Sequence, residues 1–223
     1  MDAHLLIEQF ITSCSHDLRS PITSIKGLVQ VAEMHPHTAE IHECLERINI
    51  TTDKMEQLLK SLEELLITNQ HVTEKVKLNC NEITNEALKP FQAELDKESI
   101  VLKQNINVDE QWSADAYTFP LMLNHMLSNA IMYQDKGKKR KRIQLNVLVK
   151  DGFTLLQVSD NGIGIPENVQ PQIFKPFYKG NEQTNGVGMG LFQLMLLTEK
   201  SGGQLFLTSK ENEGSTFSIA IPA

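Results

Sequence analysis

The sequence predicts an α+β chain: an N-terminal antiparallel helical hairpin, then a half in which short strands alternate with helices. Two observations carry this. Over the first seventy residues apolar side chains recur at helical spacing, and from about Val76 short apolar runs bounded by turn residues replace that pattern. The change falls near residues 69–75 and divides the chain into 1–70 and 71–223.

In the first helix Ile7, Ile11, Cys14, Leu18, Ile22, Ile25, Val29 and Ala32 step by three and four, one stripe along one face. In the second, Ile41, Leu45, Ile48, Thr52, Met55, Leu59, Leu62 and Leu66 make a near-strict heptad with one polar slot at Thr52. The connection at His35-Pro-His-Thr38 must be short, because Pro36 lacks a backbone donor and restricts the residue before it. Two helices bury only one seam, so heptads this regular predict pairing with a second copy in a four-helix bundle, a homodimer. Pro21 inside the first helix predicts a kink. Further on, strands are expected at 100–106, 143–149 and 153–158, the last two joined at Lys150-Asp-Gly152, and a second hairpin at 204–208 and 215–221. Helices are expected at 81–97, 117–134 and 189–201, the last stopping on Gly202-Gly203.

Composition bounds the function. Forty per cent hydrophobic residues and a mean hydropathy of −0.25 exclude a disordered tail, and no apolar run reaches the ~18 residues of a membrane span, so membrane contact by this segment is not expected. Cys14, Cys44 and Cys80 lack CxxC spacing and read as reduced thiols in a cytoplasmic setting. The net charge of −7 repels nucleic acid. The basic run KGKKRKR at 136–142 has no interleaved aromatics and reads as a solvated loop.

Four constellations carry chemistry. Ser15-His-Asp-Leu-Arg-Ser-Pro-Ile22 places His16 two residues past Cys14, about 200° around a helix and into solvent, where an imidazole is a usable nucleophile. Asp17 beside it can hold one ring nitrogen protonated. Asp160-Asn-Gly-Ile-Gly164 follows a strand, so Asp160 offers a carboxylate to an exocyclic amine such as adenine's while Gly162 and Gly164 take unusual dihedrals. Gly186-Val-Gly-Met-Gly190 precedes an apolar helix beginning at Leu191, whose free N–H groups suit phosphate. Asn129 is polar in the apolar helical run 121–133, and its carbonyl oxygen suits Mg²⁺.

Together and in this order these residues resemble the catalytic core of sensor histidine kinases of two-component systems. SHDLRSPI is similar to the phosphoacceptor box, LSNAIMY to the N box, DNGIGIP to the first glycine box, IFKPFYKG to the F box, GVGMGL to the second glycine box and GSTF to the terminal one. The resemblance implies a dimerisation and phosphotransfer hairpin followed by a two-layer α/β sandwich of the GHKL type, which binds ATP and Mg²⁺. It implies His16 as the phosphorylated residue, Asp17 as its acid–base partner and Asn129 as the metal ligand. Asp160, Gly162 and Gly164 would read adenine, with Tyr133 and Lys179 lining the nucleotide. Gly186, Gly188, Gly190 and Leu191 would border a lid, and Thr216 of the terminal box would complete the site. The partners implied are a second copy and a response regulator receiver domain. The location implied is cytoplasmic, or the cytoplasmic part of a membrane-tethered sensor, and Met1 directly before the hairpin reads as a stand-alone kinase or an excised fragment.

Three positions depart from the family's pattern. His125 stands where an Asn is usual four residues before the metal ligand, and Met132 where a Lys is frequent; neither imidazole nor thioether suits Mg²⁺ or phosphate charge. Ser20 replaces a Thr or Asn that orients water for dephosphorylation of the partner. A degenerate kinase acting mainly as phosphatase or scaffold, and a GHKL ATPase that only switches conformation, therefore stay open as alternatives.

Overall fold

The computed structural model describes the backbone of residues 3–34, 38–180 and 186–223, and side chains over 18–34, 39–180 and 186–223. Helix α1 spans Ala3–Met34 and runs on through Pro21; α2 spans Thr38–Gln70 and lies along it. The side chains of Ile7, Ile11 and Cys14 and the connection at 35–37 lie outside the described residues.

The heptad expected along α2 is only partly the seam. The two helices pack on one another, and Leu18, Ile25, Leu28 and Ala32 of α1 and Ile41, Cys44, Ile48, Thr51, Met55, Leu58 and Leu62 of α2 are buried or half-buried. Leu45, Leu59 and Leu66, which fall on one heptad position with Thr52, are instead 53%, 54% and 65% exposed, and Ile22 and Val29 of α1 are each 43% exposed. The reason is geometric: a helix pair covers one stripe of each member, and these helices carry a wider apolar arc than one neighbour can cover.

Beyond the hairpin, β1 (Lys75–Lys77) pairs antiparallel with β3 (Ser113–Asp115). A five-stranded sheet follows in the order β2 (Ile100–Asn107), β4 (Lys141–Lys150), β5 (Phe153–Asp160), β7 (Gly214–Pro222), β6 (Gln204–Lys210), with β2 and β4 parallel and the other neighbours antiparallel. The β4–β5 turn places Asp151 and Gly152 at φ 52° and 79°, the two left-handed positions of a tight hairpin. The helix expected at 81–97 is divided into α3 (Cys80–Leu88), a 3₁₀ turn at Lys89–Phe91 and α4 (Gln92–Lys97), because Pro90 cannot donate to the ladder. Asn79 caps α3, accepting from the N–H groups of Asn81 and Glu82.

Helix α5 (Thr118–Met132) fills the layer over the sheet and packs on α6 (Gly190–Lys200). Its buried Phe119, Met122, Leu123, Met126, Leu127, Ala130 and Ile131 meet the inward residues of alternating strands, Ile143, Leu145, Val147, Leu156, Val158, Phe217 and Ile219. At the rim Trp112 stands edge-to-face on Phe119 with centroids 5.0 Å apart, and its indole N–H donates to Thr154 Oγ1 at 3.1 Å.

One carboxylate fastens the hairpin to the sheet half. Asp115, its side chain 4% exposed, accepts from the N–H groups of Glu74 (2.7 Å), Tyr117 (3.0 Å) and Thr118 (2.7 Å) and lies 2.9 Å from His71 Nε2. The His71 ring lies 4.7 Å from that of Tyr117, whose hydroxyl is 3.4 Å from Thr68 Oγ1 near the end of α2. Burial raises the Asp115 pKa, but the hydrogen bonds from Thr118, Glu74, His71 and Tyr117 outweigh it and bring it to about 2. A lowered folded pKa stabilises the protein above the unfolded value near 4 and loses that contribution as pH falls toward 2. Asp115→Ala should destabilise the protein by about 3 kcal/mol at pH 7, since it leaves several buried donors unpaired. Denaturant unfolding at pH 7 and between pH 2 and 5 should show a steep acid limb in the wild type and a flatter one in Asp115→Ala.

Candidate functional site

The polar side of α5, the end of β5 and the start of α6 meet at one end of the sheet, beyond its central strand. Asn129 lies on α5 with its Nδ2 buried and lacking a protein partner, and Asn124 leaves Oδ1 in the same condition. Helix α6 starts against this face: a Cβ on Gly190 would sit 3.6 Å from His125 Nδ1 and 4.0 Å from Asn129 Nδ2. Unpaired buried amides cost free energy unless a ligand completes them.

At the end of β5, Asp160 Oδ1 accepts from the N–H of Gly162 at 2.7 Å and of Ser215 at 3.3 Å, while Oδ2 has no hydrogen-bond partner among the described residues. Burial pushes the Asp160 carboxyl up to about 6, against the lowering effect of those two N–H bonds and of nearby Lys138. The following loop leaves no room for side chains: a Cβ at Gly162 would lie 2.1 Å from the Tyr133 carbonyl oxygen, and Gly164 has φ 67° with its Cβ position 2.0 Å from the Lys210 carbonyl. Tyr133 ends α5, and its carbonyl accepts from Ile163 N–H at 3.0 Å. Asn129, Tyr133, Asp160, Gly162 and Gly190 are thus brought to one end of the sheet.

Phe177 (φ 63°) and Gly188 (φ 73°) put two left-handed residues on the approach to α6, and residues 181–185 lie outside the described residues. Gly186 approaches Met132, with Cε 3.5 Å from its Cβ position, and Leu191 packs against the core in the first turn of α6. A cleft of about 370 Å³ separates this segment from the hairpin. Phe177, Lys179 and Val187 line one side, and Ser20, Ser24, Thr51 and Leu58 the other. His16 and Asp17 fall on α1 one turn before Ser20; their side chains lie outside the described residues.

Thr216 is not brought to this group. Along β7, Ser215, Phe217, Ile219 and Ile221 turn inward, while Thr216 donates to Ser159 Oγ at 2.9 Å on the opposite face of the sheet. Ser215 stands beside Asp160 instead, and the two-residue alternation fixed by Phe217 and Ile219 was the signal that could have found it. Glu64 of α2 was also missed: His125 Nε2 lies 2.9 Å from its Oε1, and nothing in the sequence pairs residues this far apart. The basic run is not simply solvated. Lys141 pairs with Glu98 at 2.6 Å, and Lys138 binds three backbone carbonyls.

A mixed sheet with a carboxylate at a glycine turn, backed by a helix with unpaired amides and joined to a helical hairpin, defines a GHKL-type nucleotide-binding unit behind a phosphoacceptor hairpin. Comparison with known proteins agrees. Residues 6–66 match the His Kinase A (phospho-acceptor) domain, and residues 114–223 match the histidine kinase-, DNA gyrase B- and HSP90-like ATPase domain. The chain belongs to the sensor histidine kinases. It is 25% identical over 220 residues to the heme sensor protein HssS of Staphylococcus haemolyticus, covering 96% of this chain and 47% of that one. It is 28% identical over 230 residues to the signal transduction histidine-protein kinase ArlS of Staphylococcus aureus, covering 95% and 48%. The chain thus spans about half the length of these curated relatives. The fold is similar to that of the histidine kinase AdeS of Acinetobacter baumannii, with a TM-score of 0.68 at 21% identity over 93% of this chain and 97% of that one. It is also similar to histidine kinase ThkA in complex with response regulator TrrA, with a TM-score of 0.72 at 24% identity over 96% and 60%.

The raised carboxyl has a consequence for stability. Folding takes up a proton on Asp160 between about pH 4 and 6, so the unliganded protein loses stability as pH rises through that window. Asp160→Asn, which still offers an oxygen to Gly162 and Ser215, should stabilise the unliganded protein by about 2 kcal/mol at pH 7 and remove the slope. Thermal melts of both proteins from pH 4 to 8 check this.

Proposed function

We propose that residues 71–223 bind ATP with Mg²⁺, that residues 1–70 form the dimerisation and phosphotransfer unit, and that the γ-phosphoryl passes to His16 and then to an aspartate of a response regulator receiver domain. The observation that carries this reading is the cleft in which the α1 turn of Ser20, just past His16, faces Phe177, Lys179 and Val187 beside the glycine lid. In this reading Asp160 Oδ2 accepts the adenine amine, with Gly162, Gly164 and Tyr133 bordering the base. Lys179, Gly186, Gly188, Gly190 and Leu191 border the phosphates.

Asn129 fits a role at Mg²⁺. Its amide is incompletely paired beside the start of α6, and its oxygen is a hard donor. Among the described residues no three His, Cys, Asp or Glu side chains cluster to hold a metal alone, so Asn129 would hold the ion together with phosphate oxygens. Bound there, Mg²⁺ neutralises phosphate charge. In the transfer, a ring nitrogen of His16 attacks the γ-phosphorus, the N–P bond forms as the P–O bond to ADP breaks, and Asp17 holds the proton on the other nitrogen.

The structure of ThkA with response regulator TrrA supports a receiver domain as the second partner. No helix among the described residues is long and apolar enough to cross a membrane, which fits a cytoplasmic location or the cytoplasmic part of a membrane-tethered sensor. A second reading, a degenerate kinase acting as phosphatase or scaffold, is favoured by one observation: the His125 imidazole is engaged by Glu64 on α2.

Incubation of the full chain with γ-labelled ATP and Mg²⁺ tests the proposal. The label should be lost in mild acid and survive alkali, as an N–P bond does, and His16→Gln should abolish it while ATP affinity is unchanged. Acid-stable label would overturn the assignment, and intact ATP binding without label would select the second reading. The exposed Leu45, Leu59 and Leu66 are what a second copy would cover. Leu59→Glu should therefore dissociate the homodimer, since an unpaired charge in such a seam costs several kcal/mol (~3–5), and sedimentation at micromolar concentration reads the outcome.

A further inference from the structure

One member of the basic run 136–142 is held unlike its neighbours. Asp135 accepts from Gly137 N–H through its side chain (2.8 Å) and from Lys138 N–H through its carbonyl (3.2 Å), a tight turn that carries the Lys138 side chain back against the loop after β5 and the β6–β7 turn. There its Nζ donates to the carbonyl oxygens of Asn161 (2.7 Å), Gly162 (3.1 Å) and Asn212 (2.9 Å). An ammonium has three N–H groups and no acceptor, so three converging carbonyls use its whole capacity. Lys136, Lys139 and Arg140 are exposed, and Lys141 is paired with Glu98.

The three carbonyls belong to two pieces of chain pressed together. Asn161 and Gly162 lie in the loop that follows Asp160, and Asn212 lies in the β6–β7 turn. Asn212 N–H donates to the Ile163 carbonyl at 2.6 Å. A Cβ at Gly214 would lie 2.2 Å from the Asp160 carbonyl oxygen, as one at Gly164 would lie 2.0 Å from that of Lys210. Carbonyl oxygens gathered this closely, two of them in part-buried contacts, repel one another unless a donor or cation sits among them.

We propose that Lys138 is a positioning residue for the nucleotide site: its ammonium clamps the 160–164 loop to the β6–β7 turn and so sets where the Asp160 carboxylate meets the adenine amine. The inference rests on the reading of Asp160 as the adenine contact. Lys138 touches no substrate atom; it acts through the backbone of Asn161 and Gly162. It also acts through charge, because burial pushes the Asp160 carboxyl up while the Gly162 and Ser215 N–H groups and the Lys138 cation hold it down.

The clamp is tested on the full chain by calorimetric titration with ADP at pH 6 and pH 8, comparing wild type, Lys138→Met and the double variant Lys136→Met/Lys139→Met. Lys138→Met should weaken ADP by about tenfold at pH 8, the scale of a lost charge-assisted hydrogen bond, and by a larger factor at pH 6, where more Asp160 is protonated. The titration of the ADP phosphates is common to the proteins and cancels in these ratios. The double variant, lacking the two exposed charges, should bind ADP as the wild type does. Equal weakening by Lys138→Met at both pH values would reduce the residue to a structural strut and overturn the proposal, as would unchanged affinity. If Lys138→Met does not fold, Lys138→Arg decides: the planar guanidinium keeps the charge but cannot donate to three converging oxygens, so ADP should weaken by one factor at both pH values, and wild-type affinity would overturn the clamp. Wild-type protein that fails to bind ADP would instead overturn the nucleotide-site reading itself.

Discussion

The burial of one face of α5 against the five-stranded sheet is the constraint on which the rest of the structure depends. Phe119, Met122, Leu123, Met126 and Leu127 are almost wholly removed from water, and an α-helix that buries one stripe fixes the direction of every other residue it carries. His125, Asn129 and Met132 therefore come out along the side where β5 ends and α6 begins. Gly190 lets α6 start within van der Waals reach of that side, so the polar face of one helix meets the N-terminus of another. The same packing places the Tyr133 carbonyl where Ile163 N–H reaches it, which ties the loop after Asp160 to the end of α5.

This arrangement keeps polar groups in places that do not suit the unliganded protein. Asp160 sits in surroundings that penalise its charge, and Asn129 and Asn124 leave buried amide atoms without protein partners. Gly162, Gly164, Gly188 and Gly214 let main chain approach main chain so closely that no side chain could be added without displacing it. Buried polar groups without partners cost free energy, which the apolar layer between α5 and the sheet offsets. Lys138 fits the same pattern, as its charge settles carbonyls that the close packing forces together.

Hairpin and sheet half meet along α2 through few but directed contacts. Gln193 donates to the Ser61 carbonyl at 3.0 Å, Lys200 to the Asn69 carbonyl at 2.9 Å, and His125 faces Glu64. The Asp115 cluster stands at their base, where the chain leaves α2, and its carboxylate is buried. Hydrogen bonds to exposed helix carbonyls are worth little net free energy, whereas a carboxylate holding three backbone N–H groups out of water is worth more. The cleft beside Ser20 lies further up α2, between Phe177, Lys179 and Val187 and the hairpin.

Period and punctuation were enough to determine most of the long elements from the sequence alone. Steps of three and four drew α1 and α2, alternation drew β4, β5 and β7, and Asp151-Gly152 supplied the left-handed pair a tight hairpin requires. Asp160 and the glycines around it were legible because their chemistry depends on residue type and immediate neighbours. The short strands β1 and β3 were not, since three residues carry no measurable alternation and pair only because the hairpin and the sheet half approach one another. Which stripe of α2 is the seam, which of Ser215 and Thr216 faces Asp160, and the partnerships of His125 with Glu64 and of Lys138 with three carbonyls were left to the tertiary structure. Each joins residues far apart along the chain, and local periodicity carries no information about which distant surface a side chain will meet.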